Sequence, residues 1–406
     1  MDEENVFPIP NLKLQQQLFL LVDDSSVSVD RQKARKNAGA ELLKGIEEDE
    51  MAPYYAALLA DPVISKLLPS PVASTSLNHA LSSSDLLSNL QAKNRAELER
   101  LDGVQKRAEE NEGDMEINAV LKDRANYYAK IGDKENAVSA HKLAIEKASG
   151  LGSKIDLTLG LIRIGLFFGD TSLVISSIAS AKKFVEEGGD WDRRNRLKVY
   201  EGLHLLSIRD FHKGGELFLE ALSTFTATEL LEYNDFIALT VIANTFALKR
   251  VDLKKKIIES PEVLQVIDEL PHLRQYINSL YSCQYGAFFK ALAEVEQAYI
   301  LPSRTLNPHA RFYVKEMRII AYAQLLESYR SVTLGSMADA FGVSVNFIDS
   351  ELSRFISSGR LPAVIDKVHG IIETRRPDSK NAQYSKIIKD GDVLLNSLQK
   401  LSRTAL

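Results

Sequence analysis

From about Met115 onward, apolar positions in this 406-residue chain recur every three or four residues, the spacing of one helix face. Short polar turns break the runs at regular intervals. Three stand out: Gly132-Asp133, Gly169-Asp170 and Arg209-Asp210, spaced 37 and 40 residues apart. Twelve residues after the first member of each comes an alanine (Ala144, Ala181, Ala221), and at the fifth position Ala137, Val174 and Gly214. Small residues at fixed offsets let the two helices of a hairpin approach closely, and a turn residue tolerant of the left-handed conformation ends the first helix. The pattern predicts stacked helical hairpins.

The rest of the chain divides around this array. Residues 1–60 form an N-terminal helical segment with pieces at 12–22 and 31–49. Residues 61–84 carry Pro62, Pro69, Pro71 and a run of serines ending at Ser84, which reads as a linker loop. Ser84 and Asp85 can cap a charged, solvated helix, and 85–300 is the tetratricopeptide-like (TPR-like) solenoid. Residues 301–376 change character. A helix is expected over 308–329, with Phe312, Met317, Ile320, Ala321, Ala323 and Leu325 inward. Ser336 can cap a short helix over 337–341, and Gly342 turns into a second over 345–358, with Phe347, Ile348, Leu352, Phe355 and Ile356 on one face. A β-hairpin follows over 360–366 and 369–374. That succession is a winged helix. Residues 377–406 form one long helix in which Ile387, Leu394 and Leu401 repeat every seven residues, as do Tyr384, Gly391 and Leu398, with Ile388 and Leu395 widening the stripe. The fold class is therefore mainly α.

Hydrophobic content is 45% and charged content 26%, ordinary for a folded chain. The net charge of −5 argues against a dominant phosphate-binding role. It is uneven: residues 1–112 hold 12 Lys/Arg against 19 Asp/Glu, residues 301–406 hold 15 against 10. Cys283 is the single cysteine, so neither an intramolecular disulfide nor a cysteine metal cluster can form, which fits a reducing compartment. The acidic start (Asp2, Glu3, Glu4) is unlike a signal peptide, and the apolar stretches 157–168, interrupted by Arg163, and 237–248 are short of a membrane span. A soluble protein of the cytoplasm and nucleus is expected, with no membrane partner.

No phosphate-cradling, dinucleotide, zinc-protease or nucleophile-elbow motif occurs. The histidines are scattered; His204 and His212 lack carboxylates at ligand spacing, and no metal or other cofactor is expected. Cys283, in a bulky helical context, reads as a buried structural thiol. The second helix of the winged helix carries Asn346, Asp349, Glu351 and Arg354, a poor set for reading bases, so no nucleic-acid partner is expected. One segment is dense in unusual residues: Gly188-Gly189, the capping Asp190, Trp191, then Arg193, Arg194, Arg196 and Lys198. It reads as a helix corner with a packed Trp and a solvated basic face, or as a docking surface.

A solenoid running into a winged helix is the architecture of the PCI family, found in the proteasome lid, the signalosome and translation initiation factor three. The segment Glu187-Gly-Gly-Asp-Trp-Asp-Arg-Arg-Asn-Arg-Leu-Lys-Val-Tyr200 resembles the hallmark of one family within it, regulatory-particle non-ATPase subunit seven of the 26S proteasome lid. Met51-Ala-Pro-Tyr-Tyr55, Leu325-Leu-Glu-Ser-Tyr-Arg-Ser331, Ala340-Phe-Gly-Val343, Glu351-Leu-Ser-Arg-Phe-Ile356 and Arg376-Pro-Asp-Ser-Lys-Asn381 are similar to it as well. The stretch 61–84, Gly103, and Ala382 in place of a Trp depart from the pattern. The resemblance implies a non-catalytic scaffold in ubiquitin-dependent degradation, with other lid PCI subunits and the ATPase ring as partners. A signalosome-like subunit and a nucleic-acid-binding winged helix are the alternatives. The residues expected to carry assembly are Trp191, Arg193, Arg194 and Arg196 on the solenoid, Phe347 and Arg354 on the winged helix, and Ile387, Leu394, Leu398 and Leu401 on the last helix.

Overall fold

The computed structural model describes residues 8–22, 29–68, 83–111, 113–374 and 379–405. The chain is mainly α, a helical solenoid followed by a winged helix and a long C-terminal helix. It divides into two compact units, residues 1–277 with 293–313 and residues 278–292 with 314–406.

The first unit opens with α1 (Leu12–Val22), α2 (Val29–Glu48), α3 (Ala52–Ala60) and the single turn α4 (Ile64–Leu67), followed by the long α5 (Ser83–Asn111). The stretch 61–84 thus departs from an all-loop linker at both ends: α4 sits in its front and Ser83 and Ser84 already belong to α5, while 69–82 lie outside the described residues. Leu14, Leu42, Ile46, Tyr55, Leu90 and Phe167 share one apolar core, so the N-terminal helices are packed into the solenoid. Tyr54 meets the Phe167 ring at 5.1 Å between centroids.

Three hairpins follow: α6 (Asp114–Ile131) with α7 (Lys134–Lys147), α8 (Leu151–Phe168) with α9 (Thr171–Gly188), and α10 (Trp191–Ser207) with α11 (Phe211–Ala221). Each corner is the same device. A left-handed residue ends the first helix (Gly132, φ 76°; Gly169, φ 70°; Arg209, φ 72°), and the next residue, an aspartate, caps the second. Asp133 accepts from the Asn136 N–H at 3.2 Å, Asp170 from Leu173 at 3.1 Å, and Asp210 from Lys213 at 3.2 Å. The small residues at the fixed offsets are buried, Ala181 and Ala221 completely. Close approach is literal at Gly202, where an added Cβ would lie 2.5 Å from Cε1 of the buried Phe218.

The unit continues through α12 (Tyr233–Ala247), α13 (Arg250–Leu253), α14 (Pro261–Val266) and the start of α15 (Leu273–Tyr281), and takes in the last residues of α16 (Tyr285–Val295) and the start of α17 (Ala310–Ser328), while 278–292 belong to the second unit. Its interior holds a polar chain. Arg163, the residue that interrupts the apolar run of α8, is buried; it donates to the Ile9 carbonyl at 2.8 Å and to the Tyr200 hydroxyl at 2.9 Å, which in turn donates to Glu229 at 3.0 Å.

In the second unit, β1 (Ser331–Thr333), α18 (Leu334–Phe341), α19 (Val345–Ser357), β2 (Ala363–Asp366) and β3 (Ile371–Thr374) form the winged helix. The sheet has three strands in the order β1-β3-β2, all antiparallel, where a two-stranded hairpin was expected. Val332 and Ile365 both register with the buried Ile372. Thr333, not Ser336, caps α18: its hydroxyl accepts from the Ser336 N–H at 3.2 Å. Ser344 caps α19. The Phe341 ring is surrounded by Tyr285, Phe289 and Tyr322 at 4.7–4.9 Å. On α17, Tyr313, Ile319, Tyr322 and Leu326 also face inward, whereas Ala323, expected inside, is exposed. The chain then enters α20 (Ser379–Ala405).

Candidate assembly surfaces

The 27 residues of α20 make a rod about 40 Å long. Every residue of it whose side chain is described is exposed. Ile387, Leu394, Leu398 and Leu401 are 55–67% open to solvent, and Tyr384, Ile388, Val393 and Leu395 lie in the same range. At heptad spacing all of these but Val393 fall on one stripe, with Lys386, Lys389, Asp390, Asp392 and Lys400 between them in sequence. Full burial of a large aliphatic side chain stabilises by roughly 1.5–3 kcal/mol. An uncovered stripe of this length is therefore a large reserve of association energy, and the arrangement suits packing against other helices.

The outward face of α19 presents Asn346, Phe347 and Arg354, all exposed. Phe347 is only 37% open, because the Arg318 guanidinium lies 6.0 Å from its ring. Glu351, counted among the carboxylates of this helix, points the other way. It is buried, takes an ion pair from Arg318 at 2.9 Å and accepts from the Tyr322 hydroxyl at 2.9 Å. Burial beside that carboxylate drives the Tyr322 phenol far above its ordinary range. Asp349 pairs with Lys367 of the wing at 3.2 Å. Glu316 fixes the wing's base by accepting from both terminal nitrogens of Arg360, one at 2.9 Å. Val364 and Val368 are also exposed, Val368 at 88%. Val368 was missed as a surface residue; its signal was a valine in the tight connection between two β-branched runs.

The corner around Trp191 inverts the expectation of a packed Trp under a solvated basic face. Trp191 is 60% exposed, while two of the arginines are drawn in. Arg193 makes a bidentate pair with Asp156, 2.8 Å on both arms, and lies against Gly152, where an added Cβ would come to 3.1 Å from the guanidinium carbon. Arg196 pairs with Asp192 at 2.9 Å one turn away. Of the three arginines, Arg194 alone is exposed. The sequence could not show this, because the partner Asp156 is 37 residues away.

Cys283 occupies a turn between α15 and α16 with φ 60°, half-buried, where a helical, fully buried position was expected; Gln324 donates to its sulfur at 3.1 Å. Among the described residues no group of His, Cys, Asp and Glu could hold a metal ion, and no helix is long and apolar enough to cross a membrane.

Three family models match the chain: 26S proteasome subunit RPN7 over residues 83–256, the PCI domain over 292–376, and the RPN7/PSMD6 C-terminal helix over 383–404. The 26S proteasome non-ATPase regulatory subunit 6 homolog of Arabidopsis thaliana is 44% identical over 97% of this chain and 96% of its own length. The 26S proteasome regulatory subunit RPN7 of Saccharomyces cerevisiae is 40% identical over 97% and 92%. The corresponding non-ATPase regulatory subunit 6 of Dictyostelium discoideum is 40% identical over 99% of both chains.

Proposed function

The chain belongs to the RPN7 family of 26S proteasome regulatory subunits, and from that premise we propose that it is a non-catalytic scaffold of the proteasome lid. It joins sibling PCI subunits through the winged helix and enters a helical bundle through α20, in the service of ubiquitin-dependent degradation in the cytoplasm and nucleus. The observation that carries this reading is the apolar stripe of α20, along which Tyr384, Ile387, Ile388, Leu394, Leu395 and Leu398 are each more than half open to solvent. The outward Phe347 and Arg354 on α19 and the exposed Trp191 are further contact points on the same reading.

The test replaces Ile387, Leu394 and Leu401 by Asp and follows incorporation into 26S particles by native electrophoresis and mass spectrometry. Each residue is exposed, so the isolated variant should melt within about 0.5 kcal/mol of the wild type and yet remain outside the particle. Normal incorporation of the triple variant would refute the role given to α20.

A further inference from the structure

Ile388, Leu395 and Ser402 of α20 repeat every seven residues, so a hydroxyl occupies the same row of the stripe as two apolar side chains that are each more than half exposed. At about 100° of rotation per residue, Ser385 and Ser397 fall outside the stripe. Ser402 is exposed and lies in the last turn of the helix, where main-chain carbonyls have no partner within the helix. Its hydroxyl donates to the Gln399 carbonyl at 3.1 Å, a bond made within that turn. The end of α20 therefore opens locally at lower cost than its middle.

Two basic residues flank this hydroxyl in sequence, Lys400 and Arg403. An enzyme that takes the segment in extended form meets a serine bracketed by positive charge, which complements an acidic groove. On the helix the same two residues turn away from Ser402, because positions one and two apart do not face each other. The residues it does face, four and three positions back, are Leu398 and Gln399, neither of them a cation.

We propose that Ser402 is a phosphorylation site that holds α20 out of its helical bundle, written by a protein kinase that accepts basic flanks. The inference rests on the reading of α20 as an assembly helix. The Ser402 Oγ attacks the γ-phosphorus of ATP, the bond from that phosphorus to the β–γ bridging oxygen breaks, ADP leaves, and the hydroxyl proton passes to the kinase's base. The product carries about −1.5 to −2 charges at pH 7. It stands over Leu398 and Leu395 with no cation of its own helix to neutralise it, so covering the stripe buries an unpaired anion. The negative end of the helix dipole opposes it as well.

Incorporation into 26S particles, followed by native electrophoresis, tests this on the full chain. Ser402→Asp should lower incorporation at least about tenfold, while Ser402→Asn, of the same shape without the charge, and Ser402→Ala should incorporate as the wild type does. Mass spectrometry of the wild-type chain from cells should find phosphate on Ser402 in the free pool and not in the particle. Normal incorporation of Ser402→Asp, an equal loss in Ser402→Asn, no phosphate in either pool, or equal phosphate in both would overturn the proposal. Exclusion of the Ile387, Leu394 and Leu401 triple variant together with normal entry of Ser402→Asp would remove the switch and leave the assembly helix standing.

Discussion

At the scale of single residues, burial decides roles that sequence context leaves open. His141, on α7, is 1% exposed; its Nδ1 lies 2.8 Å from the Ala137 carbonyl, an arrangement that makes that nitrogen the donor. Burial pushes its pKa down to about 4. The unfolded chain therefore takes up a proton below about pH 6.5 that the folded chain refuses. The stabilisation is complete above that pH and is lost as pH falls toward 4, about 2 kcal/mol of it by pH 5. Urea unfolding at pH 7 and pH 5 should show this loss in the wild type, and His141→Asn, whose amide can still donate to Ala137, should flatten it. The arginines of α10 separate in the same way. Arg193→Glu breaks the bidentate pair with Asp156 and sets two carboxylates against each other, which should cost about 1–3 kcal/mol in thermal melts. Arg194→Glu, on the open surface, should stay within about 0.5 kcal/mol of wild type. A melt in which both reversals behave alike would contradict the pairing.

At the scale of elements, the corners of the solenoid were legible because their chemistry is local. A left-handed residue and a capping aspartate are adjacent in sequence, so the three turns and their buried alanines could be read off the spacing. Strand β1 could not, since three residues (Ser331–Thr333) are too few to show a period of two and their pairing with β3 spans about forty positions. Thr333 displaced Ser336 as the cap because β1 delivers the chain to α18 one turn earlier than the apolar pattern suggests. Glycines inside helices test the packing directly. Gly202→Ala drives a methyl into the fully buried Phe218 and should cost about 1–3 kcal/mol. Gly103→Ala, in α5 with nothing within 4 Å of the new Cβ, should instead stabilise by up to about 1 kcal/mol. Denaturant midpoints of the two variants should move in opposite directions.

At the scale of the whole molecule, the positions of the α20 stripe were readable as a heptad pattern, but its exposure was not, because a sequence does not say whether a terminal helix folds back. The acidic front and basic tail raise a rival account, in which charge carries association. The two accounts separate on salt. Contacts that neutralise phosphates weaken steeply and log-linearly with ionic strength, and surface ion pairs are screened within a Debye length of about 8 Å at physiological salt. Burial of an apolar stripe has no such dependence. In the second unit Glu351 is paired with Arg318 and Glu316 with Arg360, while α20 presents an exposed aliphatic stripe beside its charges, and association is assigned to that stripe. Association of the full chain with the particle should accordingly hold between about 50 and 200 mM salt, measured by sedimentation of the native complex. A loss of a hundredfold or more across that range would assign assembly to charge and remove the ground for the bundle helix.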